Sequence, residues 1–109
     1  MIPTPRMRRL LEMLDDNPND SFLTYALAKE YEKQGEKHQA LLLYRRLLDR
    51  DPAYLATYYH LGKLYETMGK TTEAIATYRA GMEHATRQGD QHTLQELAGA
   101  KLFLEDPED

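Results

Sequence analysis

The chain has 109 residues, the size of one globular domain, and it contains no cysteine. Hydrophobic residues make up 41% and charged residues 29% of the sequence, which indicates a soluble globular chain and not a disordered one. The lack of cysteine excludes disulfides, thiolate catalysis and cysteine-ligated metal sites. A formal net charge of −4 argues against a general nucleic-acid binder, which normally has a basic surplus.

Targeting signals are not evident in the sequence. No stretch is apolar enough to cross a bilayer, and the N-terminal residues lack the apolar run and the cleavage site of a secretory signal. We therefore expect a cytoplasmic protein. Met1 at the start and a charged C-terminal tail favour a complete small protein.

The first predicted helix covers residues 4–16. Met7, Leu10, Leu11 and Leu14 recur at the spacing of one helical face. We expect this apolar face to pack on the helix that follows it in the chain.

The next two segments, 21–54 and 55–88, repeat each other at an interval of 34 residues. The identical pairs are Pro18 and Pro52, Tyr25 and Tyr59, Leu27 and Leu61, Lys29 and Lys63, Tyr31 and Tyr65, Glu32 and Glu66, Gly35 and Gly69, Ala40 and Ala74, Tyr44 and Tyr78, and Arg45 and Arg79. Most matches fall on small and aromatic residues, where packing is most demanding. Chance similarity is therefore a poor explanation of the repeat.

Each repeat consists of a helix, a tight glycine turn and a second helix. Gly35 and Gly69 are suited to the left-handed conformation just past a helix end. Asn17–Pro18 and Asp51–Pro52 are each expected to place a capping side chain before a proline at the first helical position. The four helices are predicted at residues 19–34, 37–50, 53–68 and 71–88.

The last predicted helix covers residues 91–105 and is interpreted as a cap. Leu97–Ala98 in this helix repeats Leu27–Ala28 of the first repeat, and Pro107 with its acidic neighbours is expected to end it. Thr86 stands where the second repeat should carry a proline, so the helix before the cap is expected to continue to Gln88.

The pattern resembles the tetratricopeptide repeat family, whose signature is a large residue, Leu-Gly and Tyr in the first helix, then Ala and an aromatic residue in the second. The second repeat carries it as Tyr58, Leu61–Gly62, Tyr65, Ala74 and Tyr78, and the first as Leu27–Ala28, Tyr31, Ala40, Tyr44 and Pro52. The resemblance implies an all-α fold, a right-handed α-solenoid of six helices in antiparallel pairs. It implies a single domain with a leading helix (4–16), two repeats (21–54 and 55–88) and a C-terminal capping helix (90–105).

The resemblance also implies that the first helix of each repeat lines a concave groove. The pairs Tyr25–Lys29 and Tyr59–Lys63 each lie one turn apart on such a helix. Tyrosine offers an apolar ring and lysine a charge for carboxylates, a combination that fits a partner peptide. The partner-binding residues predicted on this basis are Phe22, Tyr25, Lys29, Tyr59, His60 and Lys63. The alternative is that the tyrosines pack between helices and the lysines are solvated.

One subset of the family grips the terminal carboxylate of chaperone tails with lysine, asparagine and arginine side chains. The corresponding places here hold Tyr25, Lys29 and His60, and the asparagines are missing. We therefore do not predict that specific activity.

The leading function hypothesis is a non-catalytic interaction module that binds a peptide or helix of a protein partner. The alternative is a self-assembling structural module that forms a homodimer through the C-terminal cap, where Leu102–Phe103–Leu104 would supply the contact face. An enzyme is disfavoured because the sequence has no metal-site spacing of histidines and no glycine-rich phosphate loop. The four histidines are expected to be solvated, and the only serine, Ser21, is expected to help cap a helix. We predict no cofactor, no metal, no nucleic acid and no membrane partner.

Overall fold

The computed structural model describes residues 2–105, and this part of the chain forms six α-helices and no strand. The helices are α1 (Pro5–Asp16), α2 (Ser21–Lys33), α3 (Lys37–Arg50), α4 (Ala56–Thr67), α5 (Thr71–Gln88) and α6 (Gln91–Glu105). The predicted all-α fold class is thus confirmed. Within the described range, no helix combines the length and the apolar character needed to cross a membrane. Pro107, which was expected to end the last helix, lies outside the described residues.

The chain divides into two compact units, Met1–Asp51 and Pro52–Asp109. In the first unit, α2 packs against both α1 and α3. In the second unit, α5 packs against both α4 and α6. The core of the first unit is formed by Met7, Leu10, Leu23, Ala26 and Leu27. Each unit therefore places one helix between two others.

Helix α1 begins where the sequence predicts, because Thr4 and Pro5 provide a start signal. The Thr4 hydroxyl accepts a hydrogen bond from the backbone N–H of Met7 at 3.1 Å, and Pro5 is the first helical residue. Met7 and Leu10 are buried, as the apolar spacing predicts, whereas Leu11 remains 41% exposed. The leading helix is therefore packed along a narrower stripe than expected.

The glycine turns also form as predicted. Gly35 and Gly69 have φ angles of 78° and 73°, in the left-handed region that only glycine adopts without strain. After Gly35, the backbone N–H of Glu36 donates back to the carbonyl of Tyr31 at 2.9 Å, and the equivalent bond follows Gly69. These bonds give a backbone carbonyl at the end of one helix a hydrogen-bond donor at the point where the chain reverses into the next helix.

The predicted cap at Asn17–Pro18 is wrong. Residues 17–20 form a turn in which the N–H of Asp20 donates to the carbonyl of Asn17 at 3.1 Å. Asp20 is the residue that caps α2, because its carboxylate accepts a hydrogen bond from the N–H of Leu23 at 2.9 Å. Helix α2 therefore begins at Ser21, two residues later than predicted.

The predicted cap at Asp51–Pro52 is also wrong, since α4 begins only at Ala56. The carboxylate of Asp51 accepts a hydrogen bond from the hydroxyl of Ser21. Both groups are thereby engaged in joining α3 to α2. The carbonyl of Pro52 accepts a hydrogen bond at 2.5 Å from the hydroxyl of the buried Tyr58. Tertiary contacts thus hold this segment as a turn, and Ser21 has no capping role.

Helix α5 continues to Gln88 as predicted, and its packing explains an irregular residue of the second repeat. Gly81 lies in this helix, where the signature of the tetratricopeptide repeat family has a second alanine after the aromatic residue. A Cβ atom at Gly81 would stand 2.6 Å from the Cβ of Tyr58 and 2.8 Å from Cδ1 of Leu97. Both neighbours are fully buried, so the position leaves no room for a methyl group.

The same hydrogen bond joins the two helices of each repeat. The hydroxyl of Tyr44 donates to Oε1 of Glu32 at 2.5 Å, and the hydroxyl of Tyr78 donates to Oε2 of Glu66. Both rings are completely buried. Burial, followed by the bond to the nearby carboxylate, raises the pKa of both phenols well above its usual value, because an ionised phenol would be desolvated beside a negative charge.

Gly81→Ala should lower the free energy of unfolding by about 1–3 kcal/mol, because an added methyl group overpacks the core. Gly99 in α6 is the control, since nothing lies within 4 Å of a Cβ added there. Gly99→Ala should raise the free energy of unfolding by about 0.5–1 kcal/mol through helix propensity. Urea denaturation followed by circular dichroism measures both, and equal losses at the two glycines would contradict this explanation.

The free energy of unfolding should fall as the pH rises above about 10, the ordinary pKa of tyrosine. The unfolded chain releases phenol protons there, whereas the folded chain retains them at Tyr44 and Tyr78 because their pKa is raised. Tyr44→Phe should make this fall shallower, and should cost about 1 kcal/mol at neutral pH because Glu32 loses its partner. Denaturation curves at neutral pH and at about pH 11 provide the test, and an unchanged slope in the variant would contradict it.

Candidate functional site

In the first unit, three of the predicted binding residues lie around one cleft of about 510 Å³. Phe22, in the first turn of α2, is 59% exposed. Tyr25 and Lys29 follow on the same face, and Nζ of Lys29 lies 5.8 Å from the centroid of the Tyr25 ring. This distance corresponds to a cation–π contact. The cleft therefore has an aromatic wall with a lysine beside it.

The first-unit cleft also contains charged residues that the predicted site did not include. Glu30 is almost completely buried, and its Oε2 lies 2.9 Å from Nε of Arg6 and 3.8 Å from Nζ of Lys33. Arg6 belongs to α1, which precedes the repeats. No repeat spacing connects Arg6 with α2, so the sequence offered no signal that would bring it to this cleft.

In the second unit, Tyr59 and Lys63 form the equivalent pair, with Nζ of Lys63 5.5 Å from the centroid of the Tyr59 ring. They line one cleft together with Phe103 of α6. Tyr59 also borders a second cleft that contains His60. The His60 ring stands edge-on to the Tyr59 ring, with their centroids 5.7 Å apart. The three predicted residues of this unit are thus neighbours, with Tyr59 at their centre.

Two carboxylates lie on the α6 side of the second-unit clefts. Asp90 caps α6, accepting hydrogen bonds from the backbone N–H of Thr93 at 3.1 Å and from its hydroxyl at 2.8 Å. These two bonds, the backbone bond first, lower the pKa of Asp90. Glu96 is exposed and lies 3.6 Å from Nε2 of His92. Repeat spacing did not reveal either carboxylate, because α6 follows the second repeat.

Both phenylalanines of the chain are exposed, and both lie beside a tyrosine–lysine pair. Phe22 is 59% and Phe103 is 79% exposed, and each lines a cleft with the pair of its own unit. Large aromatic side chains are normally buried, and an exposed one in a cleft marks an interaction surface. From the sequence, Phe103 is expected on a possible dimer face.

The histidines show two departures from expectation. His38 and His92 are exposed as predicted, but His60 is half-buried beside Tyr59, and the half-buried ring of His84 stacks on Tyr58 with their centroids 5.6 Å apart. Among residues 2–105, no group of three or more His, Cys, Asp or Glu side chains could hold a metal ion.

Solved structures resemble the chain over most of its length. A solution structure of a tetratricopeptide repeat domain protein from Salinibacter ruber is 48% identical, with a TM-score of 0.80, and the match covers 84% of this chain and 92% of that one. A crystal structure of a tetratricopeptide repeat domain protein from the same organism is also 48% identical, with a TM-score of 0.77 and coverage of 82% and 100%. A solution structure of a Bordetella parapertussis protein is 28% identical, with a TM-score of 0.80 and coverage of 94% and 89%.

Sequence comparison points to the same family. The family model described as tetratricopeptide repeat matches residues 33–98, which is more than half of the chain. No curated protein matches. The match spans the second helix of the first repeat, the whole second repeat and the beginning of α6. The chain therefore belongs to the tetratricopeptide repeat family.

Proposed function

We propose that the protein is a non-catalytic module that binds a peptide or helix of a protein partner. The tetratricopeptide fold is generally a protein–protein interaction module, and the family is typically non-catalytic. The observation that carries the proposal is the duplicated cleft in which an exposed phenylalanine accompanies a tyrosine–lysine pair. The predicted groove, the scaffold role and the cytoplasmic location belong to the same proposal.

The chemistry of these clefts suits a peptide. In the first unit, Phe22 and Tyr25 offer aromatic surface on which an apolar side chain can pack. The Lys29 ammonium lies over the Tyr25 ring, which limits its freedom before any ligand arrives. Less conformational entropy is then lost on binding, which favours affinity. The same argument applies to Tyr59, Lys63 and Phe103 in the second unit.

The predicted division of the chain is part of the proposal. Leading helix 4–16, repeats 21–54 and 55–88, and capping helix 90–105 would act as one domain. The matched region 33–98 supports this because it includes residues of both units.

A second candidate function is the homodimer through the C-terminal cap. It is favoured by the exposure of Leu102 and Phe103 on α6, at 60% and 79%. An exposed apolar pair at a helix end is suited to a symmetric contact with a second copy.

A peptide selected from a random phage-displayed library should bind about tenfold or more weakly after Phe22→Ala when it occupies the first-unit cleft, and after Tyr59→Ala when it occupies the second-unit clefts. Aromatic residues at the centre of an interface commonly contribute about 2 kcal/mol, which corresponds to such a change. Fluorescence anisotropy with the most enriched peptide measures the affinity of each variant.

Leu42→Ala is the matched control for Phe22→Ala. Leu42 is an apolar residue of the same unit with nearly the same exposure, 58% against 59%, but it lies on α3, outside the first-unit cleft and in a separate cleft with Leu11 and Tyr31. An equal loss of affinity in the control would move the binding surface to α3. Failure to enrich any peptide would contradict the proposal.

Sedimentation equilibrium tests the homodimer. The leading proposal expects a monomer whose mass does not change with concentration. A dimer would support the second candidate only if Phe103→Ser dissociates it while the variant keeps its helical circular dichroism. A monomer at all concentrations measured would rule this candidate out.

A further inference from the structure

The clefts of the two units each contain a tyrosine, a lysine and a phenylalanine but differ in their other charged residues. The first-unit cleft is lined by three cations, Arg6, Lys29 and Lys33, and by the single carboxylate of Glu30. In the second-unit clefts, Lys63 is accompanied by Asp90 and Glu96. The repeat has thus preserved the tyrosine and the lysine while the charged residues around them diverged.

The divergence can be followed along the repeat interval of 34 residues. Positions 22, 30 and 33 of the first unit correspond to positions 56, 64 and 67 of the second. Phe22, Glu30 and Lys33 are replaced by Ala56, Leu64 and Thr67. Both the cation at position 33 and the carboxylate that orients it are therefore particular to the first unit.

Glu30 positions the cations without neutralising them. Its buried carboxylate holds Nε of Arg6 at 2.9 Å and Nζ of Lys33 at 3.8 Å, yet the side chains of Arg6 and Lys33 remain 66% and 68% exposed. Their remaining N–H donors therefore reach solvent, as does the half-buried Lys29 one turn before Lys33. One negative charge against three positive charges leaves a local surplus of positive charge.

This surplus contrasts with the formal net charge of −4 of the whole chain. A basic cleft on an acidic chain concentrates anions at one place. Because the surplus is confined to the cleft, it suits a short acidic segment.

We propose that the first-unit cleft recognises an acidic segment of the partner, with an apolar side chain packed on Phe22 and Tyr25. Carboxylates of aspartate or glutamate side chains within the segment pair with Lys29, Lys33 and Arg6. The inference rests on the proposed function and adds the chemical class of the ligand. Lys29 and Lys33 are one helical turn apart and Arg6 comes from another helix, so the cations suit several carboxylates along a peptide.

The test uses three synthetic peptides that are acetylated and amidated at their ends. In the first, glutamates flank one phenylalanine and one leucine, and in the other two every glutamate is replaced by glutamine or by lysine. Fluorescence anisotropy should show the glutamate peptide binding about tenfold more tightly than the glutamine peptide, and the lysine peptide binding least. Added salt should lower the affinity for the glutamate peptide most, because salt screens the attraction between exposed charges.

Lys29→Glu and Lys33→Glu should each lower the affinity for the glutamate peptide about fivefold or more. Each should also reduce the difference in affinity between the glutamate peptide and the lysine peptide. Lys37→Glu is the control, because it changes the net charge by the same amount as the other two substitutions. Lys37 is exposed at the start of α3 and does not line the cleft. Arg6 is left intact, since its removal would deprive the buried Glu30 of its nearest cation. Circular dichroism establishes that each variant is folded.

The outcomes separate the inference from the proposed function. If library peptides bind and lose affinity in Phe22→Ala, while the three synthetic peptides bind equally, the inference is wrong and the proposed function stands. If Lys37→Glu lowers the affinity for the glutamate peptide as much as the other two substitutions do, the preference depends on the net charge of the protein and not on the cleft. The inference would then be wrong. A single-stranded oligonucleotide is also tested as a competitor for the labelled glutamate peptide. If it displaces that peptide at a lower concentration than the unlabelled glutamate peptide does, the ligand is not a peptide and the inference is wrong. If neither library nor synthetic peptides bind, both proposals fail.

Discussion

A tyrosine ring lying against a residue without a side chain is the constraint on which the second repeat depends. The ring of Tyr78 in α5 occupies the space where a Cβ of Gly62 in α4 would stand. The hydroxyl of the same ring donates to Glu66, one turn further along α4. Glu66 in turn lies 3.7 Å from Nζ of Lys63, which stands over the Tyr59 ring. The packing of the helix pair is thus connected, contact by contact, to the surface that we propose for binding.

The first repeat keeps the tyrosine–glutamate bond and uses the surface differently. Tyr44 donates to Glu32 just as Tyr78 does to Glu66, so the two helix pairs share the same internal anchor. Around this shared anchor, the charge of the surface depends on diverged positions inside the pair, such as Lys33 against Thr67, and on residues of the flanking helices. Arg6 of α1 lines the cleft of the first unit. Asp90, which caps α6, and Glu96 of α6 line a cleft of the second unit. A repeated scaffold can therefore carry two clefts with different ligand preferences, because its flanking helices are not repeated.

Local signals in the sequence were sufficient for most of the fold. Apolar spacing and the glycines at positions 35 and 69 predicted six helices and two reversals, because helix periodicity and left-handed turns depend on residues close together in the chain. The missing proline at Thr86 predicted the long α5 for the same reason. The helix starts after Asn17 and Asp51 were wrong because Asx-Pro pairs also form turns. At Asp51–Pro52, the Ser21 hydroxyl binds the carboxylate that a cap would need, and the Tyr58 hydroxyl binds the carbonyl of Pro52.

The repeat, the helix pairs and the tyrosine–lysine pairs on the first helices can be predicted from the amino-acid sequence, since all of these follow from spacing along the chain. The other side chains that join those pairs depend on how the helices pack. Arg6 meets Glu30, and Phe103 joins Tyr59, across helices that lie far apart in the chain. No periodicity relates such residues, because they meet through the packing of whole helices. The charge of each cleft therefore emerges only once α1 and α6 are folded against the repeats.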